Sequence, residues 1–264
     1  MKIFVCLKQV PDTDTRIKIH GDLASIDANG IKWIVSPYDL YAIEEAIKIR
    51  ESNPGAQVYV ITAGPKPRAS EALITALAMG ADEGILINVA QPLDANQTAK
   101  ALAATIKSEG GAKSENGARL ILTGRSSGDY NQSSVAQMLA EYLEIPHATV
   151  ISKLQFSPDS VLVERDIEGG AKEVIQLKLP AVISANKGLN SPRYSSLPGI
   201  MKAKKKTIKE IDFTILGVSA EDFKVKYSNF TLPPEKPAAR LISGDVPSQV
   251  SQLVKVLRDE AKVL

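Results

Sequence analysis

Arg119-Leu120-Ile121-Leu122-Thr123-Gly124-Arg125-Ser126-Ser127-Gly128-Asp129-Tyr130-Asn131-Gln132-Ser133-Ser134 is the stretch that decides the fold. Arg119 to Thr123 reads as a buried strand. A polar, glycine-punctuated loop follows, and Gln132 to Leu143 reads as a helix. The same alternation recurs along the chain. Lys2 to Lys8, Gln57 to Ala63 and Gly84 to Val89 read as strands, and Tyr38 to Glu51, Ala69 to Met79 and Asn96 to Lys107 read as helices. Strands separated by helices predict an α/β fold with a mostly parallel sheet flanked by helices.

In an open sheet of this kind, ligands collect beyond the carboxyl ends of the strands, where glycines permit close backbone approach and helix amides receive phosphate oxygens. Asn131, Gln132, Ser133 and Ser134 offer neutral hydrogen bonds there, and Arg125 offers charge. The stretch has neither a GxGxxG nor a GxxxxGK[ST] fingerprint, and Ser/Asn/Gly clusters also serve as ordinary helix caps. It therefore reads as a nucleotide cradle or as a plain helix entry. Ala63-Gly64-Pro65-Lys66-Pro67-Arg68 follows another strand and either borders the same pocket or is a solvated connection.

Helix entry at Ser36-Pro37-Tyr38-Asp39 is well specified. Ser36 is placed to cap, Pro37 loses nothing by lacking an N–H in the first turn, and Asp39 lies near the positive helix end. Leu40, Ile43 and Ile47 share one face, which leaves Glu44, Glu45 and Lys48 on the outer one.

Val161 to Glu168 and Glu173 to Leu179 predict a hairpin about Gly169-Gly170, and Ala181 to Ala185 a further strand after Pro180. Residues 186–206 form a polar, proline-punctuated loop and then a short helix with Lys202, Lys204, Lys205 and Lys206. Leu197 and Ile200-Met201 place apolar groups beside that charge. They suit either a partner's groove or a satellite core. Residues 221–245, with Pro233, Pro234 and Pro237, predict an extended arm. Val246 to Val263 then predicts a terminal helix with Val250, Leu253, Val254 and Leu257 roughly on one side.

The 264 residues and 44% hydrophobic content suffice for a large core, and a formal charge of +2 gives no global reason to expect nucleic acid or an anionic membrane. Cys6 is the single cysteine, which excludes an internal disulfide and suits a reducing cytoplasm. Met1-Lys2-Ile3 runs straight into a strand pattern, so neither an export signal nor membrane insertion is expected. With only His20 and His147 and dispersed carboxylates such as Asp12 and Asp14, no catalytic set and no metal site is expected.

Val163-Glu164-Arg165-Asp166-Ile167-Glu168-Gly169-Gly170, continuing to Leu179-Pro180-Ala181-Val182, resembles the signature region of the electron transfer flavoprotein beta subunits. Leu189 to Lys206 is similar to that family's dehydrogenase-recognition loop. Leu7-Lys8-Gln9-Val10-Pro11-Asp12-Thr13 and Ser36-Pro37-Tyr38-Asp39 extend the likeness over nearly the whole chain.

The resemblance implies an adenine nucleotide alpha hydrolase-like domain over residues 1–220, with an arm and helix at 221–264 that pack on a larger alpha subunit. That subunit would hold most of the FAD. AMP would sit in the beta subunit, or a second FAD in a bifurcating relative that uses NADH. Cys6, Ser36, Asp39, Gly64, Gly124, Arg125, Ser126, Gly128, Asp129, Asn131, Gln132, Ser133 and Ser134 would line that nucleotide site. Thr13, which stands where mammalian-type members carry an aromatic residue, and Tyr38 would approach the alpha-bound flavin. Tyr194, Leu197, Pro198, Ile200, Met201, Lys202 and Lys205 would meet partners. Those partners would be acyl-CoA dehydrogenases or related donors, with a membrane quinone oxidoreductase as acceptor. A standalone nucleotide-sensing module and an autonomous hydrolase or transferase are the competing classes.

Overall fold

Alternation of side chains along the first strand divides the core into two layers. In the computed structural model, which describes residues 1–111, 118–236 and 238–264, β1 (Lys2–Cys6) is buried on both faces. Ile3 and Val5 point to one side, Phe4 and Cys6 to the other. β2 (Gln9–Pro11), β3 (Trp33–Val35), α1 (Pro37–Ser52), β4 (Gln57–Gly64), α2 (Lys66–Met79), β5 (Glu83–Asn88), α3 (Ala95–Ser108), β6 (Ala118–Gly124) and α4 (Val135–Leu143) follow. After them come β7 (His147–Phe156), β8 (Ser160–Asp166), β9 (Lys172–Lys178), β10 (Ala181–Ala185), α5 (Leu197–Ala203), β11 (Ile208–Asp212) and α6 (Val246–Lys255).

Among the described residues, nine strands form one mixed sheet in the order β11-β5-β4-β1-β6-β10-β7-β8-β9. The run from β11 to β7 is parallel, and β8 and β9 add an antiparallel meander. Val58, Val60, Leu120, Leu122 and Ile183 join Ile3 and Val5 beneath α1 and α2. Ile61, Ile85, Ile87, Ile121 and Val182 join Phe4 and Cys6 beneath α3 and α4. Full burial of such side chains stabilises by about 1.5–3 kcal/mol each, and the two faces share that gain because every strand serves both.

From β1 the chain builds outward through β4 and β5 on one side and then returns to place β6 on the other. The order reverses between β1 and β6, and at such a reversal the loops leaving neighbouring strand ends diverge and open a crevice. The Arg119-to-Ser134 stretch runs straight into it.

Several sequence expectations need correction. Ser36 precedes α1 but makes no side-chain cap. Its hydroxyl instead donates to Ser126 O at 3.4 Å. Glu44 and Glu45 are buried, because the chain from Asn190 to Arg193 lies over that face of α1. α4 begins at Val135, three residues after Gln132, since Asn131 and Ser133 both have φ of 51°, which a right-handed helix does not accommodate. The terminal helix ends at Lys255 and passes into a wider turn over Val256–Glu260. Pro237 lies outside the described residues.

The chain divides into two compact units, one of residues 1–17 and 27–227, the other of residues 18–26 and 228–264. The first holds the sheet and its helices. In the second, Phe230 N donates to Leu23 O at 2.8 Å, Arg240 pairs with Glu260, and Val246, Val250, Leu253 and Val254 of α6 are exposed. No described helix is long and apolar enough to cross a membrane.

Candidate functional site

The two strands flanking the reversal are joined at their carboxyl ends by one side chain. Asp39, in the first turn of α1, is 6% exposed. Its Oδ2 accepts the Lys8 amide at 2.7 Å and its Oδ1 the Gly124 amide at 2.9 Å. Burial pushes its pKa up to about 7, against the two amide hydrogen bonds and the Lys8 charge, which pull it down. The expected acid at a helix N-terminus is thus a buried tie between β1 and β6.

Gly124 is required by this approach. A Cβ there would lie 2.3 Å from Asp39 Oδ1 and 2.7 Å from the Tyr38 carbonyl carbon. Gly64, at the end of β4, has φ of 155°, and a Cβ there would lie 2.9 Å from the buried Gln9 Oε1. Gln9 Nε2 in turn donates to Thr62 Oγ1, which donates to Leu7 O at 2.8 Å. Glycine at the ends of β4 and β6 thus lets the Gln9 and Asp39 side chains pack directly on the strand backbone.

Beyond Gly124 the loop is held from several sides. Ser126 Oγ donates to Asn131 Oδ1 at 3.1 Å, and the Asn131 amide donates to Ser127 O at 2.9 Å. Lys8 Nζ lies 2.7 Å from Asp129 Oδ2 and 4.3 Å from the Tyr130 ring centroid. Gly128 faces open space. Tyr130 stacks on Tyr227 at 5.0 Å, and Gln132 Nε2 donates to the Tyr227 hydroxyl at 2.6 Å. Tyr227 was not anticipated from the sequence, because nothing in the proline-punctuated tail signals that it returns to this loop.

Two arginines stand at the rim with their guanidinium groups over aromatic rings. Arg125 lies 4.9 Å from the centroid of Tyr38, and Arg68 lies 3.9 Å from that of Trp33. Nε of each is buried without a hydrogen-bond partner. Ser134 gives α4 no side-chain cap. Arginine nitrogens without partners, an uncapped helix start and a loop open around Gly128 suit an anionic group such as a phosphate at the start of α4.

Of the residues expected to line this site, Ser36, Asp39, Gly64, Gly124, Arg125, Ser126, Gly128, Asp129, Asn131, Gln132, Ser133 and Ser134 lie at or just beyond these strand ends. Cys6, the remaining residue of that set, ends β1 and is buried. It packs in the core beneath α3 and α4, and burial, with the Asp39 carboxylate, drives its pKa far up. Thr13 is exposed in the connection after β2, and its hydroxyl donates to Asp12 Oδ1 at 3.4 Å.

The second expected surface is split by the structure. Tyr194 is 99%, Leu197 78% and Met201 65% exposed, and Pro198, Lys202 and Lys205 are exposed as well. Ile200 turns inward and packs on the core. No described group of three or more His, Cys, Asp or Glu side chains is placed to hold a metal ion.

The class is set by the family model of the electron transfer flavoprotein domain, which matches residues 24–216. Relatives similar over the full chain include the electron transfer flavoprotein subunit beta of Bacillus subtilis, 40% identical with both chains wholly covered. That of Bradyrhizobium diazoefficiens is 35% identical with both chains wholly covered. The human subunit beta is 35% identical over 90% of this chain and 91% of its own. The chain belongs to the beta-subunit family of the electron transfer flavoproteins.

Proposed function

We propose that this chain holds AMP in the cradle between β1 and β6 and, joined to an alpha subunit that carries most of an FAD, relays electrons from a dehydrogenase to a quinone reductase. The sheet is then an adenine nucleotide alpha hydrolase-like fold, with its nucleotide at the order reversal. The observation that carries the reading is the Gly124-to-Ser134 loop, open around Gly128, uncapped at α4 and flanked by the buried Arg125 Nε, which has no hydrogen-bond partner.

In this reading Arg125 and the first-turn amides of α4 bind the phosphate, and Asn131 to Ser134 orient it. Asp39 holds the strand ends at fixed spacing, and the Tyr130–Tyr227 stack excludes water from the mouth. The bound flavin supplies the redox chemistry, and the chain supplies position and electrostatics. Tyr38, half-buried under Arg125, and Thr13 form this chain's part of the flavin wall. The exposed Val246, Val250, Leu253 and Val254 of α6 suit a helix that packs on the alpha subunit. Leu197 and Met201, among exposed lysines, suit an apolar pocket with an acidic rim on the donor, of which acyl-CoA dehydrogenases are the leading class.

The test is to denature the purified native complex and quantify the released nucleotides by chromatography. One FAD and one AMP per pair of subunits are expected. Two FAD and no AMP would replace this reading with the bifurcating, NADH-using one. A stable flavin-free monomer would replace both with a nucleotide-sensing module.

A further inference from the structure

The sequence reading turns Glu44 and Glu45 toward solvent, yet both are buried, and what buries them is the chain leading into the docking segment. Arg193 donates to Glu44 three times: its backbone amide and Nε reach Oε2 at 3.0 and 2.9 Å, and Nη2 reaches Oε1 at 3.0 Å. The outer edge of the same guanidinium reaches Glu51, with Nη1 to Oε1 at 2.7 Å and Nη2 to Oε2 at 3.1 Å. Three residues earlier, Asn190 Nδ2 donates to Tyr41 O at 3.0 Å and to Glu45 Oε2 at 2.9 Å. One arginine thus grips two carboxylates about two helical turns apart on α1. Its planar fork suits this, and a lysine ammonium does not reproduce it.

The other end of the segment is fastened separately. Ser196 Oγ accepts the Gly199 amide at 3.1 Å, and a Cβ at Gly199 would lie 2.8 Å from Ala78 O, so α5 rests directly on the end of α2. The chain from Asn186 to Ser196 is itself neither strand nor helix, so these side-chain anchors hold it in place of a backbone ladder. Tyr194 and Leu197, immediately downstream of Arg193, are the residues turned out to solvent, with Met201 one helical turn on. A loop without a backbone ladder keeps one orientation only if side chains offset its conformational entropy.

We propose that Arg193, held by Glu44 and Glu51, is the positioning residue of the docking surface, fixing the angle at which Tyr194, Leu197 and Met201 are offered to an apolar, acid-rimmed pocket on the electron donor. The inference rests on the docking reading above. Arg193 acts through Leu197: a docking anchor that is not pre-oriented costs affinity when it must be ordered on binding. Electron transfer inside an assembled complex is untouched.

Rates of electron transfer from a substrate-reduced acyl-CoA dehydrogenase to the purified complex, followed by stopped-flow absorbance over a range of donor concentration, provide the test. Arg193→Ala and Leu197→Ala are each expected to lower kcat/KM about tenfold through KM, with the limiting rate and flavin content unchanged. The double variant is expected to be no more than about threefold worse than either single one, since both remove the same contact. Wild-type rates for Arg193→Ala beside an impaired Leu197→Ala would overturn this inference and leave the docking reading intact. Wild-type rates for Leu197→Ala would sink the docking reading itself. Multiplying losses, about a hundredfold in the double variant, would show that Arg193 acts elsewhere. If Arg193→Ala fails to assemble, Arg193→Lys keeps the charge without the fork. About a threefold rise in KM is then expected, and an unchanged KM would refute the role.

Discussion

Asp39 and Gly124, 85 residues apart in sequence, meet through a 2.9 Å hydrogen bond from the glycine amide to the aspartate Oδ1, at the one place where a side chain on Gly124 has no room. This contact joins the first turn of α1 to the end of β6, and the loop that forms the proposed cradle leaves from it.

The pKa of Asp39 gives that contact a pH signature. The native value, about 7, lies above the ordinary 3.8, chiefly because burial disfavours the charged form. The protonated acid is thus favoured by folding. The stability linked to this group is complete below about pH 4 and is lost as pH rises through about 7. Relative to Asp39→Asn, which does not titrate, the wild-type protein should lose on the order of 2 kcal/mol of unfolding free energy between about pH 5 and 8. Urea unfolding at both pH values measures this, and a difference independent of pH would refute the assignment.

Gly124→Ala should destabilise by about 3 kcal/mol, since the new methyl meets a fixed carboxylate and main chain, neither of which moves cheaply. Gly128→Ala, four residues on, meets nothing within 4 Å and should stay within about 0.5 kcal/mol. Urea midpoints of the two variants compare them directly, and equal shifts would mean that Gly124 is not held against Asp39.

Tyr227 contributes a ring stacked on Tyr130 and a hydroxyl that accepts from Gln132. Tyr227→Phe keeps the ring and should speed nucleotide release about threefold, whereas Tyr227→Ala should speed it about tenfold. Release from the purified complex into excess competing nucleotide is the measurement. Identical rates in all three proteins would remove Tyr227 from the mouth of the site.

Cys6 should resist aromatic disulfide reagents at about pH 8 in the native protein and react at once in denaturant. Its thiol is buried, and burial followed by the neighbouring carboxylate keeps it protonated. Labelling of the folded protein at the rate of a free thiol would contradict the buried position.

Strands with strong apolar runs were legible in sequence, because burial on both faces of a parallel sheet imposes continuous hydrophobicity: Ile3 to Leu7, Val58 to Ile61 and Leu120 to Leu122 declare themselves. The hairpin at Gly169-Gly170 was legible through its turn residues. β11, with Ile208 and Ile211 as its apolar residues, β7, with alternating exposure from Ser152 onward, and the three-residue pair β2 and β3 were not. Each is defined by the neighbour it pairs with and carries little pattern of its own.

The amino-acid sequence alone determined the α/β layering, the loop at the end of β6 and the family, since these depend on local periodicity and on motifs contiguous in the chain. Tertiary structure alone decided that Asp39 is buried between Lys8 and Gly124, that Tyr227 returns to Tyr130, and that Glu44 holds Arg193. In each case the partners lie 31 to 149 residues apart. A helical acid looks solvated by local rules until a distant segment covers it, so the charge pattern of α1 was readable and its purpose was not.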